Sequence, residues 1–428
     1  MRKFVPFLIL LTFVAILGNV QAAERTDYTF VMENEAWFSG AVKLDNHWYI
    51  AGSTGIYDYD HGNFSKRWRI FGWNITDIAL YGDHLLVALV EVQYNSSGGG
   101  GGEIIKTNGM VLNAQGLGKD AVYDILKSRI LELDENFQIV NTVTFDERIR
   151  VASPEGVLNS FKIYVHNSNI YALTSGILRD NGTYFAIVRD VKNNSEFIEM
   201  YGVKIHDISF SENYVYLAIN NYVDIYYYNG TLYKHVVNIG GYSTFINDLA
   251  VDNSDVWCAG YNVVDSKQNA AISVETETFD SEIMYASNSA EKEFTVLFIE
   301  NHTAFVLSDR SAIYTYKSDS ATGNKIGETD WTYVKNLNSE DYHTYDSLSD
   351  RYALRMNGDS SIVFYGGYII GDNGLSAFYV TVHAENSESA PSNWEESAGV
   401  AGIPENKEEF SLYALVIISV IVIVLLLR

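Results

Sequence analysis

His47-Trp48-Tyr49-Ile50-Ala51-Gly52-Ser53-Thr54-Gly55-Ile56-Tyr57-Asp58-Tyr59-Asp60 holds two runs of aromatic and β-branched residues around a Gly-Ser-Thr-Gly break. Runs of this composition suit the pleated backbone, and the small and glycine residues between them suit a turn, so the stretch reads as a strand hairpin. The first half recurs as His84-Leu85-Leu86-Val87-Ala88, Asn169-Ile170-Tyr171-Ala172-Leu173 and Asn213-Tyr214-Val215-Tyr216-Leu217-Ala218. It returns again as Asp255-Val256-Trp257-Cys258-Ala259-Gly260, Thr303-Ala304-Phe305-Val306-Leu307 and Ser361-Ile362-Val363-Phe364-Tyr365-Gly366. The second half has its own echoes, among them Arg129-Ile130-Leu131-Glu132-Leu133-Asp134 and Ala312-Ile313-Tyr314-Thr315-Tyr316.

Anchored on Tyr49, Leu86, Tyr171, Tyr216, Trp257, Phe305 and Val363, the copies are spaced by 37, 85, 45, 41, 48 and 58 residues. Most steps match the ~40–50 residues of a four-stranded propeller blade. The long step holds an insertion at 95–120, opened by the five glycines Gly98 to Gly102, which read as a rim loop. Seven copies with no long amphipathic helix predict an all-β fold, a single seven-bladed β-propeller over residues 23–383. A pair of β-sandwiches or a β-helix is the alternative. The last copy lacks its outer strand, and Tyr28-Thr29-Phe30-Val31-Met32 is a spare one; the expectation is that it pairs with the final blade and latches the ring.

Composition narrows the partners. The 428 residues carry 29 Lys plus Arg against 54 Asp plus Glu, a formal charge of −25, which argues against nucleic acid as partner. A single cysteine, Cys258, excludes an internal disulfide framework and reads as a small core residue. Arg2 and Lys3, the apolar Phe4 to Leu17 and the small residues before Ala23 read as a signal peptide over 1–22. Residues 384–409 carry seven carboxylates against Lys407 and read as a solvated acidic stalk. The apolar run at 410–428 is long enough for a transmembrane anchor, with the bulk of the chain outside. The expected address is the cell surface, an extracellular domain anchored in the cytoplasmic membrane. Seven sequons fit it: Asn63, Asn74, Asn95, Asn181, Asn193, Asn229 and Asn301.

The blade pattern around Ala51 to Asp60 resembles the repeats of quinoprotein-like and surface YVTN-type β-propeller proteins. That group holds redox enzymes, assembly scaffolds and surface-layer proteins, so the resemblance implies fold more than activity. Gly402-Ile403-Pro404-Glu405, upstream of Phe410, is similar to archaeal Pro-Glu-Phe-type sorting tails, although Asn406 to Glu409 intervene and the terminal basic cluster is reduced to Arg428.

The most orderly polar signal is an Asp before the first strand of several copies. Asp77, Asp207 and Asp248 follow Thr76, His206 and Asn247. A propeller's first strands line its central channel, so Asp77, His206, Asp207, Asn247 and Asp248 could crowd one mouth and bind a polar ligand or a hard cation. Equally, each Asp could accept backbone amides between blades. His47, His84 and His302 sit at hairpin bends, and Asp58-Tyr59-Asp60 suits solvent-facing positions. No metalloprotease, serine-hydrolase or P-loop motif is present, and no cofactor is expected. The exported region therefore reads as a binding or scaffold module for an envelope protein, a glycan or a surface layer. The alternative is a surface hydrolase, lyase or oxidoreductase working at the channel mouth.

Overall fold

The structure is a computed structural model that describes residues 26–32, 35–60, 63–95, 122–179, 181–193, 195–237, 239, 244–280, 282–329, 351–359, 361–370 and 376–384. The expected signal peptide, nearly all of the 95–120 insertion and of the stalk, and the C-terminal anchor lie outside the described residues. Among those described, no helix is long and apolar enough to cross a membrane.

Among the described residues strand follows strand, mostly through short turns. β1 (Thr26–Met32) precedes a four-stranded antiparallel sheet of β2 (Phe38–Leu44), β3 (His47–Gly52), β4 (Gly55–Asp60) and β5 (Asn63–Arg69). Next come β6 (Asn74–Tyr81), β7 (His84–Asn95), β8 (Val122–Leu133) and β9 (Ile139–Phe145), then β10 (Ile149–Ala152) and the short helix α1 (Ser153–Leu158). The third group is β11 (Phe161–His166), β12 (Asn169–Leu178), β13 (Tyr184–Asp190) and β14 (Ser195–Tyr201). β10 pairs with both β8 and β12, so the second and third groups merge into one nine-stranded sheet.

Three further four-stranded sheets follow. They are β15 (Asp207–Phe210), β16 (Tyr214–Ile219), β17 (Tyr222–Tyr227) and β18 (Leu232–Val237); β19 (Thr244–Asp252), β20 (Asp255–Val264), β21 (Lys267–Thr276) and β22 (Glu282–Asn288); and β23 (Phe294–Glu300), β24 (Thr303–Ser308), β25 (Ala312–Lys317) and β26 (Ser320–Glu328). The last sheet is ordered β1-β29-β28-β27, from β27 (Arg351–Gly358), β28 (Ile362–Ile370) and β29 (Ser376–Ala384). The strand expected at Tyr28–Met32 thus starts at Thr26 and pairs antiparallel with β29, from Thr26 opposite Ala384 to Met32 opposite Phe378.

Turn chemistry fixes the hairpins. Asp45-Asn46, Asn167-Ser168, Asp265-Ser266 and Asn301-His302 all have positive φ at both positions, the two-residue geometry whose twist matches the flanking strands. Short polar residues tolerate that backbone best, which explains the Asn, Asp and Ser at these bends.

The core lies between consecutive sheets. One cluster joins Phe38, Ile50 and Tyr59 of the first sheet to Phe364, Val380 and Val382 of the last. Phe364 is its centre, 5.0 Å from the Trp48 ring and 5.1 Å from that of Tyr59. Much of the tyrosine excess is spent on such packing: Tyr123, Tyr216, Tyr365, Tyr368 and Tyr379 are fully buried. Cys258 is buried as expected. Asp58 is buried too, against the expectation of a solvent-facing position; it accepts the Arg67 Nε at 3.1 Å, which neutralises it beneath the hairpin.

The chain enters β2 past Glu35, a carboxylate with no exposure. It accepts the Thr54 amide at 2.6 Å, the Tyr57 hydroxyl at 2.6 Å and the Ser53 hydroxyl at 3.1 Å, with Lys66 Nζ 3.5 Å away. A Cβ on Gly52 would stand 2.8 Å from the Glu35 side chain, so the glycine is dictated by the carboxylate it covers. Burial without these donors would be prohibitive for a charged group.

β1 also carries polar ties to its sheet. Thr29 and Thr381 share a buried hydrogen bond at 2.9 Å, and Asp27 meets His383 Nδ1 at 2.6 Å and the Glu328 amide at 3.2 Å. Deleting residues 26–32 exposes the edge of β29. The truncated protein is expected to melt at a clearly lower temperature and to self-associate by light scattering; a monomer with an unchanged melt would show that β1 contributes little.

Candidate functional site

The site grows from one register position. In the first strand of each four-strand group, the residue four places before the hairpin is Gly40, Asp77, Lys162, Asp207, Asp248, Val296 or Arg355. In β2, β6, β19, β23 and β27 a β-bulge immediately precedes this residue, leaving the residue before it without a ladder partner. All of these except Gly40 line a single cavity of about 1040 Å³, together with His206 and Asn247. The five residues singled out from the sequence are therefore brought together. The strands extend past the Asp rather than starting after it, except at Asp207, which opens β15.

Most of this polarity is engaged between sheets. The residue in the bulge donates to a carbonyl of the next four-strand group: Ser39 Oγ to Ile75 O at 2.8 Å, Thr76 Oγ1 to Phe161 O at 2.7 Å, Asn247 Nδ2 to Phe294 O at 2.9 Å. The Asp that follows accepts an amide of that same neighbouring group. Asp77 Oδ2 takes Ile163 N at 3.0 Å and Asp248 Oδ2 takes Leu297 N at 2.7 Å, while Oδ1 of each accepts its own neighbour's amide. Asn357 does the same for Ala41 N at 3.1 Å, joining β27 to β2. Each such pair is a two-point clasp. Arg355 crosses the cavity wall to Leu158 O and Asn159 Oδ1, tying β27 to the end of α1.

His206-Asp207 occupies the clasp position of the fourth group, β15–β18, and departs from it. The His206 Nε2 meets Asn220 Oδ1 of its own sheet at 3.3 Å. Asp207 Oδ1 instead accepts the Tyr164 hydroxyl at 2.8 Å and Lys162 Nζ at 3.3 Å, from the preceding sheet. Lys162 also donates to His206 O at 3.0 Å. Lys204, two residues upstream, lines the same cavity.

Burial dominates the ionisation of this group. It raises the Asp248 carboxyl well above its usual range, and neighbouring Asp207 adds to the effect. Asp77 is raised by burial, against the pull of Arg355. The Tyr164 phenol is pushed up by burial and then by Asp207. Burial, followed by the Lys204 charge, lowers His206 to about 4, and burial lowers Lys204 as well. The cavity thus brings a neutral imidazole, two carboxyl groups and an amine side by side. Among the described residues no group of three His, Cys, Asp or Glu is arranged to hold a metal ion.

Lys162, Tyr164, Lys204 and Arg355 escaped the sequence reading. The signal for two of them was present: counting four residues back from each hairpin lands on Lys162 and Arg355 as surely as on the three Asp.

Comparison with solved structures bears on the architecture. The WD40 β-propeller domain of Doa1 is similar over 85% of this chain and 97% of its own, at 9% identity and a TM-score of 0.50. The fold is a β-propeller. Weaker likenesses include BamB from Moraxella catarrhalis, at 11% identity and a TM-score of 0.39 over 81% of this chain and 83% of that one. YCF48 bound to D1 peptide gives 9% identity and 0.45 over 84% and 96%. No family model matches the chain, and no curated protein does.

Two outcomes check the propeller's cavity. Removing the Asp248 side chain strands two amides, so Asp248→Ala is expected to cost about 2 kcal/mol or more in chemical denaturation. A change below ~0.5 kcal/mol would mean the clasp is dispensable. His206 is neutral in the fold while an unfolded histidine takes a proton near 6.5, so its contribution to stability is present above that pH and lost as pH falls toward 4. His206→Gln is expected to flatten the pH dependence of the melting temperature across that window, and an unaltered slope would refute the assignment.

Proposed function

We propose that this chain is a closed, seven-bladed propeller held outside the cytoplasmic membrane by its C-terminal segment, acting as a binding or scaffold module rather than an enzyme. Its ligand is a polar segment of an envelope protein, a glycan or a surface layer, taken up at the cavity mouth around His206, Asp207 and Lys204. Closure is supported by the pairing of β1 with β29 and by the packing of β2 against both β6 and β27. The export signal, acidic stalk and terminal apolar run support the address.

The observation that carries the binding site is the exception in the repeat. Thr76-Asp77 and Asn247-Asp248 are committed to neighbouring backbone, whereas His206-Asp207 is not part of a clasp and shares the cavity with the half-buried amine of Lys204. A repeated position usually serves the repeat; the copy released from that duty is the one available to a ligand. The same imidazole, carboxylate and amine favour the second reading, a surface hydrolase, lyase or oxidoreductase using them in proton transfer.

Capture of envelope components by the 23–384 fragment tests both readings. Lys204→Ala and His206→Ala are expected to reduce recovery of a specific partner at least fivefold while leaving the melt within a few degrees. Equal recovery by both variants would remove the cavity from the binding surface. A turnover that the two variants abolish would replace the scaffold reading with the enzymatic one.

A further inference from the structure

The turn between β17 and β18 is Tyr227-Tyr228-Asn229-Gly230-Thr231. It closes through Gly230 N to Tyr227 O and Tyr227 N to Thr231 O, both 2.9 Å, with Gly230 in the left-handed region at φ 79°. This is a tight turn with a glycine bulge, and the glycine is required twice over, because a Cβ there would stand 2.7 Å from Phe197 O. Tyr227 and Thr231 face each other across the hairpin. Between them Asn229 accepts the Thr231 amide on Oδ1 at 3.0 Å, which fixes the amide plane. Asn229 and Thr231 are exposed.

Beside this turn stands a cluster of rings with no apolar cover. Tyr227 and Tyr233 are 40% and 39% exposed, their centroids 5.1 Å apart, and Tyr214 lies 4.8 Å from Tyr233 and 5.5 Å from Tyr227. Exposed ring faces are electron-rich and take the electropositive C–H face of a sugar.

Three of the other sequons are placed differently. Asn74 is fully buried. Asn193 commits its Nδ2 to Asp190 at 2.7 Å. Asn181 repeats the Asn-Gly-Thr turn, with its Oδ1 accepting Thr183 N at 2.9 Å, but the rings after it are one exposed tyrosine, Tyr184, and the pair of Tyr201 with the buried Phe185, not three mutually packed tyrosines.

From this juxtaposition we infer that Asn229 is an N-glycosylation site whose first sugar seats on the Tyr227–Tyr233–Tyr214 rings. The inference rests on the exterior address proposed above. In the transfer, Asn229 Nδ2 bonds to the anomeric carbon of a lipid-(pyro)phosphate-linked oligosaccharide and loses one proton to a base of the transferase. The bond from that carbon to the phosphate oxygen breaks, and the lipid phosphate departs with the electron pair. The seated sugar shields the rings and braces the hairpin, which links the modification to stability.

The test is to produce the full chain in a host that N-glycosylates exported proteins and to map its glycopeptides by mass spectrometry. The same material is melted beside Thr231→Val, which cannot be modified, in the wild-type and the Tyr227→Ala/Tyr233→Ala backgrounds. The expected result is sugar on Asn229, with Thr231→Val lowering the melting temperature by about 2 °C or more only where both tyrosines are present. Sugar on other sequons with Asn229 bare overturns this inference alone. No sugar on any sequon overturns it together with the exterior address. Sugar on Asn229 with no difference between the backgrounds overturns the seating on the rings.

Discussion

The structure depends on sideways hydrogen bonds from side chains of one four-strand group to the backbone of the next. Sheets packed face to face through apolar clusters have no intrinsic register, because the hydrophobic effect is non-directional. The pairs Thr76-Asp77 and Asn247-Asp248 supply direction, each offering one donor and one acceptor to a neighbouring inner strand. The bulge makes this possible by turning two successive residues to the same neighbour, which a regular strand cannot do. A carboxyl held there loses solvation, and the raised Asp77 and Asp248 reflect that cost. The amides it accepts offset it, since they too would otherwise be buried without partners.

Function is expected where that constraint is relaxed. The fourth group keeps the Asp but replaces the bulge donor with His206, and the carboxylate turns to Lys162 and Tyr164 of the preceding group. The inner wall consequently changes character along its circumference, from committed polarity to an imidazole, a carboxylate and an amine facing one cavity. The remaining equivalents, Gly40 and Val296, offer nothing polar, so the wall is lopsided.

Much of this was legible in the residues. The strand-turn-strand periodicity located the hairpins, and the spare strand at Tyr28–Met32 was visible because the last copy was one strand short. The three Asp stood out because they share a place before Ile78, Ile208 and Leu249. Lys162 and Arg355 did not, since recognising a position occupied by opposite charges requires counting from the turn rather than matching residue types. β10 was missed because four residues are too few to show a period. Asp58 was misjudged because strand alternation alone does not reveal that Arg67, on the adjacent strand, covers it.

Native-state hydrogen exchange at the Ile163 and Leu297 amides tests the clasp most directly. Both are expected to exchange at the slowest, globally limited rate in the intact protein. Asp77→Ala is expected to release Ile163 alone, and Asp248→Ala to release Leu297 alone. Protection that survives both substitutions would contradict the account, for the sheets would then be held in register by packing without the side-chain bonds.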